Sequence, residues 1–268
     1  MTKSGKAYLI GAGPGDPRLL TLRAAEVLGE ADVVLVDDLV HPAVLAHART
    51  ARVLHVGKRA GLRAFPQELA TDIMIAYVRG GAIVARVKGG DPLLFGRGGE
   101  EALALAEARL PFEIIPGVTA ALGAAAYAGI PLTHRGVAAS VAFVAGQRAA
   151  DQPSALDVEA DTLVVYMCQR TIRQVACELI TRGRSPMTCI AIVRGATWHD
   201  QEVFTGYLGE AAALDDDWYQ QLDPAPPTIA IIGAVASFAD QLTWHARPPI
   251  PLGLLVAPPL RIAGGAAR

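Results

Sequence analysis

Short apolar runs alternate with stretches of helical spacing along the first half of the chain. Residues 7–10, 32–36, 53–56, 83–87 and 112–115 are mostly apolar and of strand length. Between them, residues 19–30, 42–48, 66–79 and 99–108 carry apolar positions at helical spacing, with Leu69, Ile73 and Tyr77 on one face of the third. Pro17 stands near the start of the first helix, and Glu100 and Glu101 in the opening turn of the last one suit its dipole. Strands separated by helices predict a mostly parallel sheet covered on both faces. After Gly117 the pattern restarts. Helices are expected at 118–127, 172–181 and near 237–242, and strands at 140–144, 162–167, 189–193, from 201 to 204, and at 228–232.

The restart predicts two α/β domains, 1–116 and 117–246, with a boundary near Pro116–Gly117. Residues 148–159 are polar and read as a surface loop. The tail 247–268 is rich in proline, glycine and alanine, and is expected to be mobile or draped on a neighbour. A length of 268 residues accommodates two domains of ordinary size.

Composition narrows the function classes. With 52% hydrophobic and 19% charged residues the chain is globular rather than disordered. A formal net charge of -2 gives no basic signature for nucleic acid, yet leaves room for a few local arginines to bind a small anion. The longest small, apolar stretch, 118–132, is too short to span a membrane and is interrupted by glycine and proline, so a buried helix is expected there. The first seven residues lead into a strand and a glycine loop rather than forming a signal peptide. Cys168, Cys177 and Cys189 show no C-x-x-C pair or zinc spacing, and the six histidines show no metal-binding pattern. A cytoplasmic protein without a metal is expected.

The candidate chemistry lies in glycine loops. Gly11-Ala12-Gly13-Pro14-Gly15-Asp16 follows the first strand. Asp16 stands where a dinucleotide fingerprint wants glycine, and no Lys-Ser/Thr pair makes it a P-loop. Alone it could be a strand-to-helix turn. A second loop, Lys88-Gly89-Gly90-Asp91-Pro92, follows another strand, where ligands of open parallel sheets bind. Two such loops favour a ligand: the glycines permit close backbone approach, and Asp91 offers an acceptor to a hydroxyl or amine. Phe95-Gly96-Arg97-Gly98-Gly99-Glu100-Glu101 then sets one arginine between glycines, either held over a cleft or solvated at a helix cap.

Residues 11–16 with Pro17 and Leu19-Leu20-Thr21 resemble the opening motif of the tetrapyrrole methyltransferase family. Residues 87–92 and 95–101 resemble the second motif of members that methylate uroporphyrinogen III on carbon. Pro116-Gly117-Val118-Thr119-Ala120, residues 127–135 and residues 162–167 continue the resemblance in order, which covers residues 7 to 238. Departures fall at Val36-Asp37-Asp38, where the family often has tyrosine-aspartate-arginine or -alanine, and at Arg63, Gln147 and Cys168-Gln169.

The resemblance implies a two-domain αβα fold of the class III methyltransferase kind, with the active site in the interdomain cleft. It implies a homodimer, S-adenosyl-L-methionine as methyl donor, S-adenosyl-L-homocysteine as product, and two methylations that turn uroporphyrinogen III into precorrin-2 on the way to sirohaem or cobalamin. No fused dehydrogenase or chelatase activity is expected. Carried over by position, the cofactor contacts are Pro14, Gly89, Gly90, Asp91, Thr119, Ala120, Met167, Ala196 and Thr228. The substrate is a polycarboxylate, and arginine forks bind carboxylates in bidentate fashion. Arg97 and Arg135 are the first candidates, with Lys58, Arg59 and Arg63 second. Asp37, Glu100 or a water they hold could take the proton that leaves after methyl transfer. A methyltransferase acting on a later precorrin, or a non-catalytic cofactor-binding paralogue, stand as alternatives.

Overall fold

A computed structural model describes residues 4–57, 67–147, 154–215, 218, 227–245 and 247–256. Lys58, Arg59 and Arg63 lie outside the described residues. The chain forms two compact units: Met1–Ala128 with Val193–Gln201 and Pro226–Ile229, and Gly129–Ile192 with Glu202–Ala225 and Ala230–Arg268.

In the first unit, β1 (Lys6–Gly11), β2 (Val33–Val36), β3 (Arg52–His55), β4 (Ile83–Lys88) and β5 (Phe112–Ile115) make one sheet in the order β3-β2-β4-β1-β5. All its pairings are parallel. Alternate residues of an apolar strand feed opposite faces. Tyr8 and Ile10 face one core with Ala24, Val27 and Leu28 of α1 (Leu22–Glu30). Ala7 and Leu9 face a second core with Met74 and Val78 of α2 (Gln67–Arg79) and Leu105 of α3 (Gly98–Glu107). Helix α1 starts later than its apolar spacing suggests. The Asp16 carboxylate accepts from the Arg18 amide and sets a 3-10 turn over Pro17–Leu19; Thr21 then caps α1 by accepting from the Ala24 amide at 3.2 Å.

The first unit also holds α4 (Ala120–Tyr127), so the units part at Ala128–Gly129 rather than before this helix, at Pro116–Gly117. The cause is backbone contact. A Cβ on Gly117 would stand 2.3 Å from the Gly90 carbonyl, and one on Gly123 of α4 would stand 2.5 Å from Pro14. Glycines at these positions let α4 seat against the loops that follow β1 and β4.

The second sheet has the order β11-β9-β8-β10-β7-β6, from β6 (Val141–Ala145), β7 (Thr162–Tyr166), β8 (Cys189–Arg194), β9 (Glu202–Tyr207), β10 (Thr228–Ile232) and β11 (Ile250–Pro251). The pairs β6–β7 and β9–β11 are parallel. Bonds from the Gly195 amide to Pro227 O and from the Gly233 amide to Cys189 O, at the two ends, make β8 and β10 antiparallel. In the second unit, Ile172, Val175 and Leu179 of α5 (Ile172–Thr181) and Leu208 and Ala211 of α6 (Leu208–Ala212) bury against Leu163, Val165, Ile190 and Phe204. A short α7 (Ala239–Leu242) follows a 3-10 turn over Ala234–Phe238.

The start of the tail, expected to be mobile or draped on a neighbour, packs at residues 250–252 against its own chain. Ile250–Pro251 is an edge strand on β9, and Leu252 is fully buried in the second unit's core. Apolar Ile250 and Leu252 supply the buried contacts, and proline is tolerated because an edge strand needs fewer donors. Residues 257–268 lie outside the described residues.

Candidate active site

Three loops meet at the carboxyl ends of β4, β1 and β5, which are neighbours in the first sheet. The chain leaves β1 towards α1 on one face and leaves β4 towards α3 on the other, and such divergence opens a ligand crevice in parallel sheets. Gly13 and Gly90 exchange backbone bonds of 3.2 and 2.7 Å, and the Ala12 amide donates to Lys88 O at 2.8 Å. Gly11, Gly90 and Gly117 touch backbone to backbone: a Cβ on Gly11 would stand 2.5 Å from the Gly117 nitrogen and 2.6 Å from Gly90 O. Gly90 has φ +68, which disfavours other residues, and its Cβ direction is a small cradle beside the Ala120 nitrogen at 3.6 Å and the Thr119 Cα at 3.8 Å. Thr119 is the buried N-cap of α4. Gly89 lies against Leu39, with Pro14 against Gly123.

Asp91 has both carboxylate oxygens engaged: Oδ1 accepts from the Leu93 amide at 2.8 Å and Oδ2 from the Gly117 amide at 3.1 Å. It therefore ties the second loop to the third. Asp16 does the same for the first loop. Its carboxylate takes a bidentate pair from Arg18 and a 2.8 Å bond from the Tyr127 hydroxyl, while its amide donates to Thr197 Oγ1 at 2.8 Å. The Arg18 guanidinium, helped by Tyr127, holds this carboxyl far below the usual range.

Beneath the second loop is a ring of charges. Arg86, on β4, gives Nε to Glu101 Oε1 at 2.8 Å and Nη2 to Asp37 Oδ1 at 2.6 Å. Lys88 Nζ lies 3.3 Å from each of the same carboxylates. Arg86, Lys88 and Glu101 are buried, whereas the Asp37 side chain is 26% exposed. Asp37 is a candidate from the sequence; Arg86, Lys88 and Glu101 join it only in the structure. The available signal was two charges at i and i+2 in a central apolar strand, which buried surroundings tolerate only when paired.

Arg97 and Glu100 bind one another. Both guanidinium contacts go to Glu100, at 2.9 and 2.6 Å, and both side chains are more than half exposed. The guanidinium keeps the Glu100 carboxyl below the usual range. Phe95 and Arg97 have φ of 55 and 58, a costly conformation for side-chain-bearing residues, on either side of Gly96.

Ala196 and Thr228 are buried and belong to the first unit. Met167 and Arg135 belong to the second. Met167 directly follows β7 with φ 54 and is 44% exposed, an unusual state for a large apolar residue on a strained backbone. Exposed Arg135 lines an open cavity of about 550 Å³ formed by residues 133–139 and Asp161, and no bond to its side chain occurs among the described residues. Among the described residues, no helix is long and apolar enough to cross a membrane, and no group of three or more potential ligands could hold a metal.

A parallel α/β unit with glycine loops joined at the strand ends is the arrangement of a small-molecule-binding protein. Residues 6–212 match the model of the Tetrapyrrole (Corrin/Porphyrin) Methylases, and the chain belongs to this family. Siroheme synthase 2 of Aeromonas salmonicida (strain A449) is 44% identical over 245 residues, 90% of this chain and 50% of that protein. The chain thus spans about half the length of the curated relatives it matches. Uroporphyrin-III-C-methyltransferase from Thermus thermophilus has a crystal structure of TM-score 0.74 at 40% identity, covering 91% of this chain and 99% of that one. A structure of uroporphyrin-III C-methyl transferase from the same organism complexed with S-adenyl homocysteine gives 0.74 at 38%, covering 87% and 99%.

Proposed function

We propose that this chain transfers two methyl groups from S-adenosyl-L-methionine to carbons of uroporphyrinogen III, giving precorrin-2 for sirohaem- or cobalamin-type pathways. The observation that carries this is the junction of Gly11, Gly90 and Gly117 in a chain of the tetrapyrrole methylase family. The residues fit the cofactor: the cradle at Gly90 faces the first amide of α4, where backbone N–H groups and the helix dipole favour a carboxylate. Pro14, Gly89, Asp91, Thr119, Ala120, Ala196, Thr228 and Met167 complete the contacts.

When bound, the cofactor supplies an electrophilic methyl on a sulfonium, and the electron-rich pyrrole carbon is the nucleophile. The protein's work is alignment and charge. Loops fixed backbone to backbone hold their ligand without reorganising. Arg97 and Arg135 grip substrate carboxylates; Arg97 exchanges Glu100 for the substrate, and Arg135 is available as it stands. Asp37, or a water on its open side, takes the departing proton. It stands just beyond β2, next to the strand that carries the second loop, whereas Glu100 lies exposed on the first turn of α3.

The acting form is a homodimer in the cytoplasm. The family resemblance carries the dimer, Leu22, Leu103 and Leu254 are apolar residues at least 66% exposed, and no disulfide joins the three cysteines. Light scattering at micromolar concentration checks the first point: a monomer mass contradicts it. Incubation with uroporphyrinogen III and S-adenosyl-L-methionine, followed by absorbance, tests the reaction. A chromophore change dependent on both reagents supports it. Turnover of a methylated precorrin alone favours the later-precorrin alternative, and cofactor binding without turnover favours the paralogue.

A further inference from the structure

We propose that Glu101 is a positioning residue for the methylation: through Arg86 and Lys88 it fixes the carboxylate of Asp37. It rests on Asp37 being the proton acceptor of the proposed reaction. Each cation touches both carboxylates, so the four groups close into a ring of zero net charge. The ring is asymmetric. The Glu101 side chain is wholly buried and Asp37 opens to solvent, so Glu101 forms the back of the ring and Asp37 its working front.

The geometry at Glu101 marks it as an anchor. Its Oε1 gathers Arg86 Nε at 2.8 Å, Gln67 Nε2 at 2.6 Å and Lys88 Nζ at 3.3 Å, while Oε2 has no hydrogen-bond partner among the described residues. The Arg86 guanidinium is further fixed by Leu35 O at 3.4 Å and Val87 O at 3.3 Å, so its fork holds one orientation between the carboxylates. Buried ion pairs are weak stabilisers compared with apolar side chains of the same volume. This one lies under the second glycine loop: Lys88 directly precedes Gly89, and its carbonyl holds the Ala12 amide at 2.8 Å. Without the Glu101 charge, both cations have only Asp37 as carboxylate partner among the described residues, and Asp37 is drawn inwards from the position in which it meets the proton.

A double-mutant cycle with two readouts tests this. Glu101→Gln keeps the shape and removes the charge. It is expected to lower kcat about 10- to 100-fold while the KM for uroporphyrinogen III and the S-adenosyl-L-homocysteine affinity stay within about threefold. Glu101→Asp should recover part of the loss. Glu101→Gln with Asp37→Asn should be no slower than Asp37→Asn alone, because both act at one group. The second readout needs no turnover. With carboxyl-13C aspartate, the resonance missing in Asp37→Asn should move in Glu101→Gln and return part-way in Glu101→Asp. A purely structural role predicts multiplying losses, weakened cofactor affinity and an unmoved Asp37 resonance, and that result overturns the proposal. Asp37→Asn at wild-type rate overturns it together with the role of Asp37. If the wild-type chain does not methylate uroporphyrinogen III, the proposed function fails, and the resonance alone then decides whether Glu101 positions Asp37.

Discussion

Adding one methyl group at Gly117 is expected to part the glycine loops. The Cβ of Gly117→Ala would stand 2.3 Å from Gly90 O and 2.8 Å from the Gly11 carbonyl carbon. Ordinary contacts begin near 3.4 Å, so the neighbours must give by about 1 Å. They cannot give separately, because the first two loops are tied by the Gly13–Gly90 bonds and by the Ala12 amide on Lys88 O. Overpacking of this kind costs about 1–3 kcal/mol, which for a chain of this size lowers Tm by about 2–12 °C. The displaced loops should also weaken S-adenosyl-L-homocysteine binding about tenfold or more, as misplacement by an ångström commonly does at a preorganised site. Gly99→Ala is the control: nothing lies within 4 Å of its Cβ position, on the exposed first turn of α3. It should leave affinity unchanged and be neutral or stabilising by up to about 1 kcal/mol. Calorimetry with scanning fluorimetry measures both quantities. If Gly117→Ala binds and melts like the wild type, the loops have slack and the close-packed account of the site is wrong.

Replacing Arg97 or Arg135 by alanine should spare cofactor affinity and lower kcat/KM on the macrocycle about 10- to 150-fold each, the worth of a charged hydrogen bond. Lysine should recover only part, and single-turnover losses within about twofold would make both arginines ordinary surface residues. Burial pushes the Cys168 thiol up to about 12, so at neutral pH a thiol reagent should label exposed Cys177 in the native protein and reach Cys168 only after unfolding. Native labelling of Cys168, read by peptide mass, contradicts its burial. Arg23 and Lys6 hold Glu113 down to about 2 from an ordinary 4.5. A depressed carboxyl adds stability above its unfolded value and loses it as pH falls towards its folded value. The Tm gap between wild type and Glu113→Gln should therefore shrink between about pH 5 and pH 2; a constant gap refutes the linkage.

Much of the fold was legible because burial on both faces of a parallel sheet leaves unbroken apolar runs. The strand expected at 112–115 is found as Phe112–Ile115, and the helix expected at 172–181 as Ile172–Thr181. Ends set by side-chain caps were not legible from apolar spacing: α1 waits for Thr21 because Asp16 reaches forward to Arg18. The short α6 and the strand at Ile250–Pro251 carry too few residues to show a period, and only the buried neighbours of Leu208 and Leu252 reveal why they form. At the site, the glycine strings were visible and their mutual contact was not, since Gly11, Gly90 and Gly117 are far apart in sequence. Arg97 with Glu100 could be read as neighbours on a turn. The ring of Asp37, Arg86, Lys88 and Glu101 needs the strand order β2-β4 and the face of α3 before it can be seen.

The central claim is carbon methylation of uroporphyrinogen III, and counting transferred methyl groups tests it most directly. The chain is incubated anaerobically with uroporphyrinogen III and S-adenosyl-L-methionine carrying a 13C methyl, and the product is examined by mass spectrometry and 13C NMR. The account predicts two labelled methyl groups per macrocycle, each with the chemical shift of a methyl on saturated ring carbon, and an equal amount of S-adenosyl-L-homocysteine released per methyl. An unlabelled macrocycle in the presence of bound cofactor, or label found on oxygen or nitrogen, would contradict it.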